Sequence, residues 1–255
     1  MAIQENPYLP PRSRVADAVI EPGNYIDGGR AVSAGRATEW LSTGWRIFRR
    51  QSGMWVLLTM VLGLIMIVLG VIPIVSLAVT LLMPVFVGGL MLACRKIEQD
   101  EDIELADLFS GFKHAGGSLV LVGLISLGLM FAIMIPAIVM MFMGGFATDP
   151  GGGTFGLGTG MIIAMLVFMA LVIPVYMALW FAPPLVVFHG HTPSHAMAQS
   201  FRGCLKNLVP FLLYGLILFV LMIVATIPLL LGWLVLIPLL VASIYAAYRD
   251  IFFER

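Results

Sequence analysis

The chain carries very little charge for its length. Of 255 residues only 11% are Asp, Glu, Lys or Arg, against roughly 25% in soluble globular domains. Hydrophobic residues make up 60% and mean hydropathy is +1.03. A soluble core of this size cannot hide so much apolar surface, so lipid must solvate much of it. The two cysteines, Cys94 and Cys204, exclude a disulfide framework and have no metal-ligand spacing. A formal net charge of zero removes nucleic acid as an implied partner. Residues 1–50 hold no apolar run before a small-residue cleavage site, so no secretory signal peptide is expected.

The absence extends to depth. Asp, Glu, Lys, Arg and His are missing from residues 54–94, 118–143, 161–188 and 208–248. Ion-coupled transporters and voltage sensors place such groups within their spans, which disfavours both. No nucleophile lies beside a general base in the pattern an intramembrane hydrolase needs, so no enzymatic activity, catalytic residue, cofactor or metal is expected. His189, His191 and His195 form an H-x-H-x-x-x-H pattern, but further ligands are lacking and a solvated loop opening a helix at Thr192-Pro193-Ser194 suits them better. The acidic run from Glu98 to Asp107 lacks the glycine and terminal glutamate of a calcium loop. Gly151–Gly160 lacks the lysine and preceding strand of a phosphate loop.

What remains is a pattern of apolar runs and positive charge. All 14 Lys and Arg residues lie in the N-terminal segment, two internal loops around residues 95–117 and 189–207, and the C-terminus. The apolar stretches between them are each long enough to cross a bilayer twice at about 20 residues per span. Positive charge confined to alternate loops predicts six spans with both termini in the cytoplasm and residues 144–160 outside. A re-entrant segment is the alternative. It makes the span count odd and moves Arg249 and Arg255 outside, against the charge bias.

Residues 1–38 are polar and rich in Gly, Pro and Arg, which predicts a disordered cytoplasmic tail. Residues 39–255 form the predicted membrane domain, all-α and polytopic. Its six helices form three hairpins, near 54–72 with 74–94, 118–142 with 161–188, and 208–227 with 229–248. An interfacial amphipathic helix precedes each hairpin.

Three sequence units support that division. Trp45-x-x-Phe48-Arg49, Phe109-x-x-Phe112-Lys113 and Phe201-Arg202-Gly203-Cys204-Leu205-Lys206 each precede an odd-numbered span, and an Ile-Pro pair follows at nearly equal offset (Pro73, Pro136, Pro228). In the first and third units Pro84 and Pro238 stand at one common offset before Arg95 and Arg249. Trp40, Trp45, Arg49, Phe109, Lys113, Phe201 and Lys206 are therefore candidate membrane-interface anchors, with aromatic rings at headgroup level and cations reaching lipid phosphate. Pro73, Pro84, Pro136, Pro228 and Pro238 are candidate helix-breaking positions that either line a pathway or only shape the bundle.

Three stretches carry a family resemblance: residues 30–49 (Arg30-Ala31-Val32 through Trp40-Leu41 and Gly44-Trp45 to Phe48-Arg49), Pro84-Val85-Phe86 through Gly88-Gly89 to Cys94-Arg95, and Ser200-Phe201-Arg202-Gly203-Cys204-Leu205 with Asn207. Together they resemble an uncharacterised family of bacterial six-helix inner-membrane proteins, over roughly residues 28–252. More loosely, the layout is similar to the membrane portions found beside glycerophosphodiester phosphodiesterases. The resemblance implies an inner-membrane location and transfers no activity. Two readings follow. One is a non-enzymatic membrane protein that handles or organises lipid or a small apolar solute. The other is a structural or regulatory scaffold of another membrane complex. The fitting partners are membrane lipids, with another membrane protein or a second copy of the chain.

The topology is testable by labelling in intact cells. Thr154→Cys should react with an impermeant thiol reagent while Asp100→Cys stays shielded. The reverse pattern inverts the topology.

Overall fold

The computed structural model describes residues 25–71, 73–146, 159–229 and 231–254. Most of the proposed tail, residues 1–24, and most of the Gly-rich loop, residues 147–158, lie outside the described residues. The helices are α1 (Arg36–Arg50), α2 (Ser52–Gly70), α3 (Pro73–Glu98), α4 (Ser110–Phe146), α5 (Thr159–Trp180), α6 (Ala182–His189), α7 (Pro193–Lys206), α8 (Leu208–Thr226) and α9 (Trp233–Phe252), with a 3-10 turn at Leu105–Phe109 before α4. Six segments are long and apolar enough to cross a bilayer: Ser52–Gly70, Leu77–Glu98, Leu105–Val139, Met165–His189, Leu208–Thr226 and Trp233–Phe252. This is an all-α polytopic membrane protein.

Burial identifies the centre of the bundle. The apolar window of α9 is 67% buried, while those of α2 and α8 are 22% buried. Helix α9 is thus the post around which α1, α2, α3 and α8 gather, and the peripheral helices turn residues such as Ile67, Leu166 and Leu216 outward. In water such faces would be unfavourable. In lipid they cost nothing, because hydrocarbon is as apolar as the side chains.

The short segments ahead of the spans pack in a cyclic order. Helix α1 lies on α9, the 3-10 turn lies on α3, and α7 lies on α5. Small residues permit these contacts: a Cβ on Gly44 would come within 2.7 Å of the Ser243 backbone nitrogen, and one on Gly111 within 2.1 Å of the Val85 carbonyl oxygen. At the third contact Ser200 Oγ donates to the Met177 carbonyl at 2.6 Å and accepts from the Phe181 N–H at 2.8 Å. Close backbone approach and interhelical hydroxyl bonds are the usual means of holding helices together in lipid.

Several expectations need correction. Residues 25–35, assigned to the disordered tail by composition, form an ordered strap across the ends of α7 and α9. Tyr25 bridges Phe253, the Ile26 N–H donates to the Phe252 carbonyl at 2.8 Å, and the Arg30 N–H donates to the Ile251 carbonyl at 2.9 Å. Gly28 and Gly29 turn the strap at φ +71° and +64°, and a Cβ on Gly29 would stand 2.7 Å from the Ile251 side chain. The strap is held mainly by backbone and side-chain hydrogen bonds, with Tyr25 and Val32 packed against the core, so hydropathy carries little trace of it.

The segment ahead of the third span is also not a helix like α1 or α7. It is a 3-10 turn, closed by a capping box between Glu104 and Asp107, and a first helical turn that ends at a non-helical Ala115 (φ −152°, ψ 30°). Gly116 and Gly117 follow that break directly. Nor do Pro84, Pro136 and Pro238 break helices, since each lies inside a single helix. A proline forfeits one ladder bond and kinks the helix, and lipid-embedded helices tolerate that when neighbours or local adjustment satisfy the freed carbonyl. Pro73 opens α3, where its missing N–H has no partner to lose. Pro228 sits in the turn between α8 and α9.

The close approach at Gly111 sets a stability prediction. Gly111→Val should push the start of α4 off α3, cost about 1–3 kcal/mol by overpacking, and lower the thermal midpoint of the purified protein in detergent. Gly63→Ala, where a Cβ meets open space, should leave the midpoint unchanged or slightly raised.

Candidate functional site

The polar chemistry concentrates at the end of the bundle where strap, α1, α3, α7 and α9 meet. Its hub is Asp250, near the C-terminus of α9. Residues Ser243, Ala246, Ala247 and Asp250 recur at helical spacing and are all buried, so the carboxylate continues the small-residue face that receives α1. Asp250 is 7% exposed. Arg36 reaches it with Nη2 at 2.5 Å from Oδ1 and Nε at 2.7 Å from Oδ2, Arg30 Nη2 lies 3.0 Å from Oδ1, and Trp40 Nε1 donates to Oδ2 at 2.9 Å. The Asp250 carboxylate and the hydrogen bond to it raise the Arg36 guanidinium above its ordinary pKa, against the opposing effect of burial.

Two side chains at the C-terminal end of α7, Lys206 and the capping Asn207, complete the clamp on the strap. Asn207 Nδ2 donates to the Arg30 carbonyl at 2.8 Å, and its Oδ1 accepts from the Val32 N–H at 2.8 Å. Lys206 Nζ donates to the Gly29 carbonyl at 2.7 Å. The chain before the first span is thereby tied to the ends of the fifth and sixth.

Beside this hub run two adjoining polar clefts. One, of about 290 Å³, is bounded by Arg36, Glu39, Glu98, Arg249 and Asp250. The other, of about 490 Å³, lies between α1 and the ends of α3 and α9, bounded by Thr43, Arg46, Arg50, Glu98, Gln99 and Arg249. Three guanidiniums face one carboxylate in the larger cleft. Their internal ties differ: Arg50 Nη1 bonds Asp100 and the Ile97 carbonyl, whereas Arg46 meets Thr43 Oγ1 and Arg249 meets Glu98, both at 3.4 Å. Two of the three cations are therefore weakly held and can turn toward an anion in the cleft.

A third group surrounds the start of the strap. Tyr25 stacks on His189 with ring centroids 4.2 Å apart, and its hydroxyl meets His191 Nε2 at 3.1 Å. His189 Nε2 shares a 2.6 Å hydrogen bond with the Tyr248 hydroxyl, and His195 Nε2 meets the Gln199 side chain at 3.1 Å. The three imidazoles thus turn their Nε2 atoms to three different partners, and among the described residues no His, Cys, Asp and Glu group has a metal-holding arrangement. Burial, reinforced by neighbouring His195, lowers the His191 pKa. Burial raises the Tyr25 phenol to about 12. The Tyr25 and His191 rings act as packing and hydrogen-bonding groups.

The expected interface anchors divide into two sets. Trp45 is 43% exposed and Phe109 39%, Arg49 and Lys113 are exposed, and Phe201 is half-buried. Trp40 departs from the expectation: it is 1% exposed, enclosed between α9 and α8 with Phe211 and Tyr214. A buried carboxylate needs every donor within reach, which draws the indole inward. Lys206 is committed to the strap. Sequence reasoning passed over Asp250, Arg30, Arg36, Tyr25 and Tyr248. The helical spacing from Ser243 to Asp250, lined up against the Gly44 stripe of α1, was the available signal for the first.

These features define an integral membrane protein whose charged groups, among the described residues, are gathered at one end of a charge-free apolar bundle. The chain is 32% identical over 209 residues to a probable inner membrane protein of Burkholderia thailandensis, an alignment covering 74% of each chain. It belongs to that protein's family, inner-membrane proteins of uncharacterised function. No protein-family model matches the chain, and no solved structure matches it.

The hub predicts unequal consequences for its members. Asp250→Asn keeps the shape but leaves the Arg36 guanidinium with Glu39 as its remaining carboxylate partner, so it should cost up to about 3 kcal/mol and expose residues 25–35 to limited proteolysis. Arg30→Ala removes a partner whose side chain is 32% exposed, and should cost under about 1 kcal/mol.

Proposed function

We propose that the protein organises membrane lipid without catalysis, holding anionic headgroups at the basic end of the bundle. The observation that carries this reading is the cleft between α1 and the ends of α3 and α9, where Arg46 and Arg249 are loosely tied beside Glu98 while Arg50 is paired with Asp100. Trp45, Arg46 and Arg49 are exposed on the outer face of α1, an arrangement suited to the headgroup layer. Phosphate oxygens match guanidinium geometry, and each cation near an anionic surface contributes about 1 kcal/mol.

The non-enzymatic part of the reading has its own support. Titratable side chains near the clefts are engaged in structure: Asp250 with two arginines and an indole, Asp107 with Lys96 at 2.7 Å, and Tyr245 with Glu98 at 2.7 Å. The Cys204 thiol is pushed up to about 12 by burial, so it supplies no thiolate nucleophile near neutral pH.

The cyclic packing of α1 on α9, the 3-10 turn on α3 and α7 on α5 supports three related units disposed around the bundle, each contributing residues to the lipid-facing rim. Basic residues at the rim support a cytoplasmic position for this end by the positive-inside rule.

Lipid retention measured by native mass spectrometry in mild detergent tests the headgroup reading. With phosphatidylglycerol and phosphatidylcholine supplied equally, the wild-type chain should favour phosphatidylglycerol. Arg46→Ala combined with Arg249→Ala should weaken that preference by roughly fivefold per charge removed. An unchanged preference would sink the proposal. Stable capture of one protein partner, with no lipid preference in either form, would favour the scaffold reading.

A further inference from the structure

Among the described residues, α5 and α8 leave a lateral opening between them. Helix α5 packs on α4 and α7, while α8 packs on α9 and α1. Between α5 and α8 lies a groove of about 260 Å³ walled by Ile173, Met177, Phe211 and Leu218, with Trp180, Cys204 and Leu208 at its end nearest α7. The corresponding neighbours elsewhere differ: α3 lies closely along α4, with Gly123 bringing the α4 backbone against Leu81, and α9 packs on α2. The order of described helices around the bundle is thus interrupted between α5 and α8.

Three features specify what fills the interruption. The walls belong to two membrane spans, so the groove opens on lipid rather than on water. From Leu208 to Leu218 it runs ten residues, about 15 Å at 1.5 Å per residue, which is half of a hydrocarbon core of about 30 Å and so the depth of one leaflet. Its walls are aliphatic and aromatic side chains with no charged residue among them, the lining that a hydrocarbon chain fits.

We infer that the α5–α8 groove is a binding site for one acyl chain of a phospholipid from the adjoining leaflet. The inference rests on the lipid-organising reading but on separate residues. The arginine cleft selects headgroup charge, and this groove selects a tail. A straight saturated or mono-unsaturated chain lies along the channel past Leu208 and Phe211 toward Leu218. Gly215 leaves the floor open, since a Cβ there would meet nothing within 4 Å.

That open glycine supplies the test. Gly215→Leu fills the channel without a steric conflict in the protein, and Gly63→Leu, on α2 with equal free space, is the control. The full-length protein is purified in mild detergent from membranes supplied with palmitoyl-oleoyl phosphatidylglycerol and phosphatidylethanolamine, and retained lipids are counted by native mass spectrometry. The wild-type chain should hold one slowly exchanging phospholipid. Gly215→Leu should lower its occupancy at least about tenfold through lost apolar burial, Gly63→Leu should not, and both variants should keep the fold by circular dichroism. Equal retention by wild type and Gly215→Leu would overturn the inference, as would a Gly215→Leu effect confined to oligomeric state, which would make the groove a contact between copies. The Arg46→Ala, Arg249→Ala variant separates the two proposals. It should change headgroup preference while the single slowly exchanging lipid is kept.

Discussion

The buried carboxylate of Asp250 is the interaction on which the rest of the charged end depends. A charge taken out of water is strongly unfavourable unless its lone pairs are met by donors, and four donors from three places converge on this one: Arg30 in the strap, Arg36 through two nitrogens, and Trp40 in α1. The requirement explains several features at once. It orders the strap, it pulls Trp40 away from the interface, and it fixes α1 along α9 so that Gly44 must meet Ser243 without a side chain between them. The neighbouring ties of Asn207 and Lys206 then lock α7 to the same strap. Removing the carboxylate would leave two guanidiniums with no common acceptor, so the four segments stand or separate together.

That charged end and the apolar spans answer to different solvents. Within lipid no hydrophobic force drives helix to helix, so association relies on close packing and hydrogen bonds. The bundle shows both: small residues at Gly44, Gly111 and Gly123, and hydroxyl bonds such as Tyr214 to Ser243 at 2.6 Å and Ser200 to Met177. At the charged end, water and headgroups compete for every ion pair. Asp250 resists because it is enclosed, whereas Arg46 and Arg249 keep loose partners. The same contrast separates structure from the proposed function: enclosed charges hold the fold, and loosely tied ones remain able to meet lipid phosphate.

Much of the layout was legible in the sequence. Charge-free runs bounded by basic loops specified six spans, because lipid admits few charges and a helix needs about 20 residues to cross. The segments ahead of the first and fifth spans read as amphipathic and are α1 and α7. The positions of the prolines were visible, but not their effect, since Pro84, Pro136 and Pro238 stay within continuous helices. A break appears instead at Ala115, directly ahead of Gly116-Gly117.

What the sequence determined by itself was the solvent of each segment and its secondary structure, both of which depend on neighbours along the chain. What only the tertiary structure decided was which polar residues are in the interior and which helices leave a gap. Asp250 and Arg30 are separated by almost the whole chain, and a single run of residues says nothing about their meeting. The strap has the composition of a disordered tail, and only its hydrogen bonds to α7 and α9 make it part of the fold. Likewise Ile173 and Leu218 read as ordinary span residues; their groove exists because α5 and α8 stand apart, a fact of packing that no local pattern encodes.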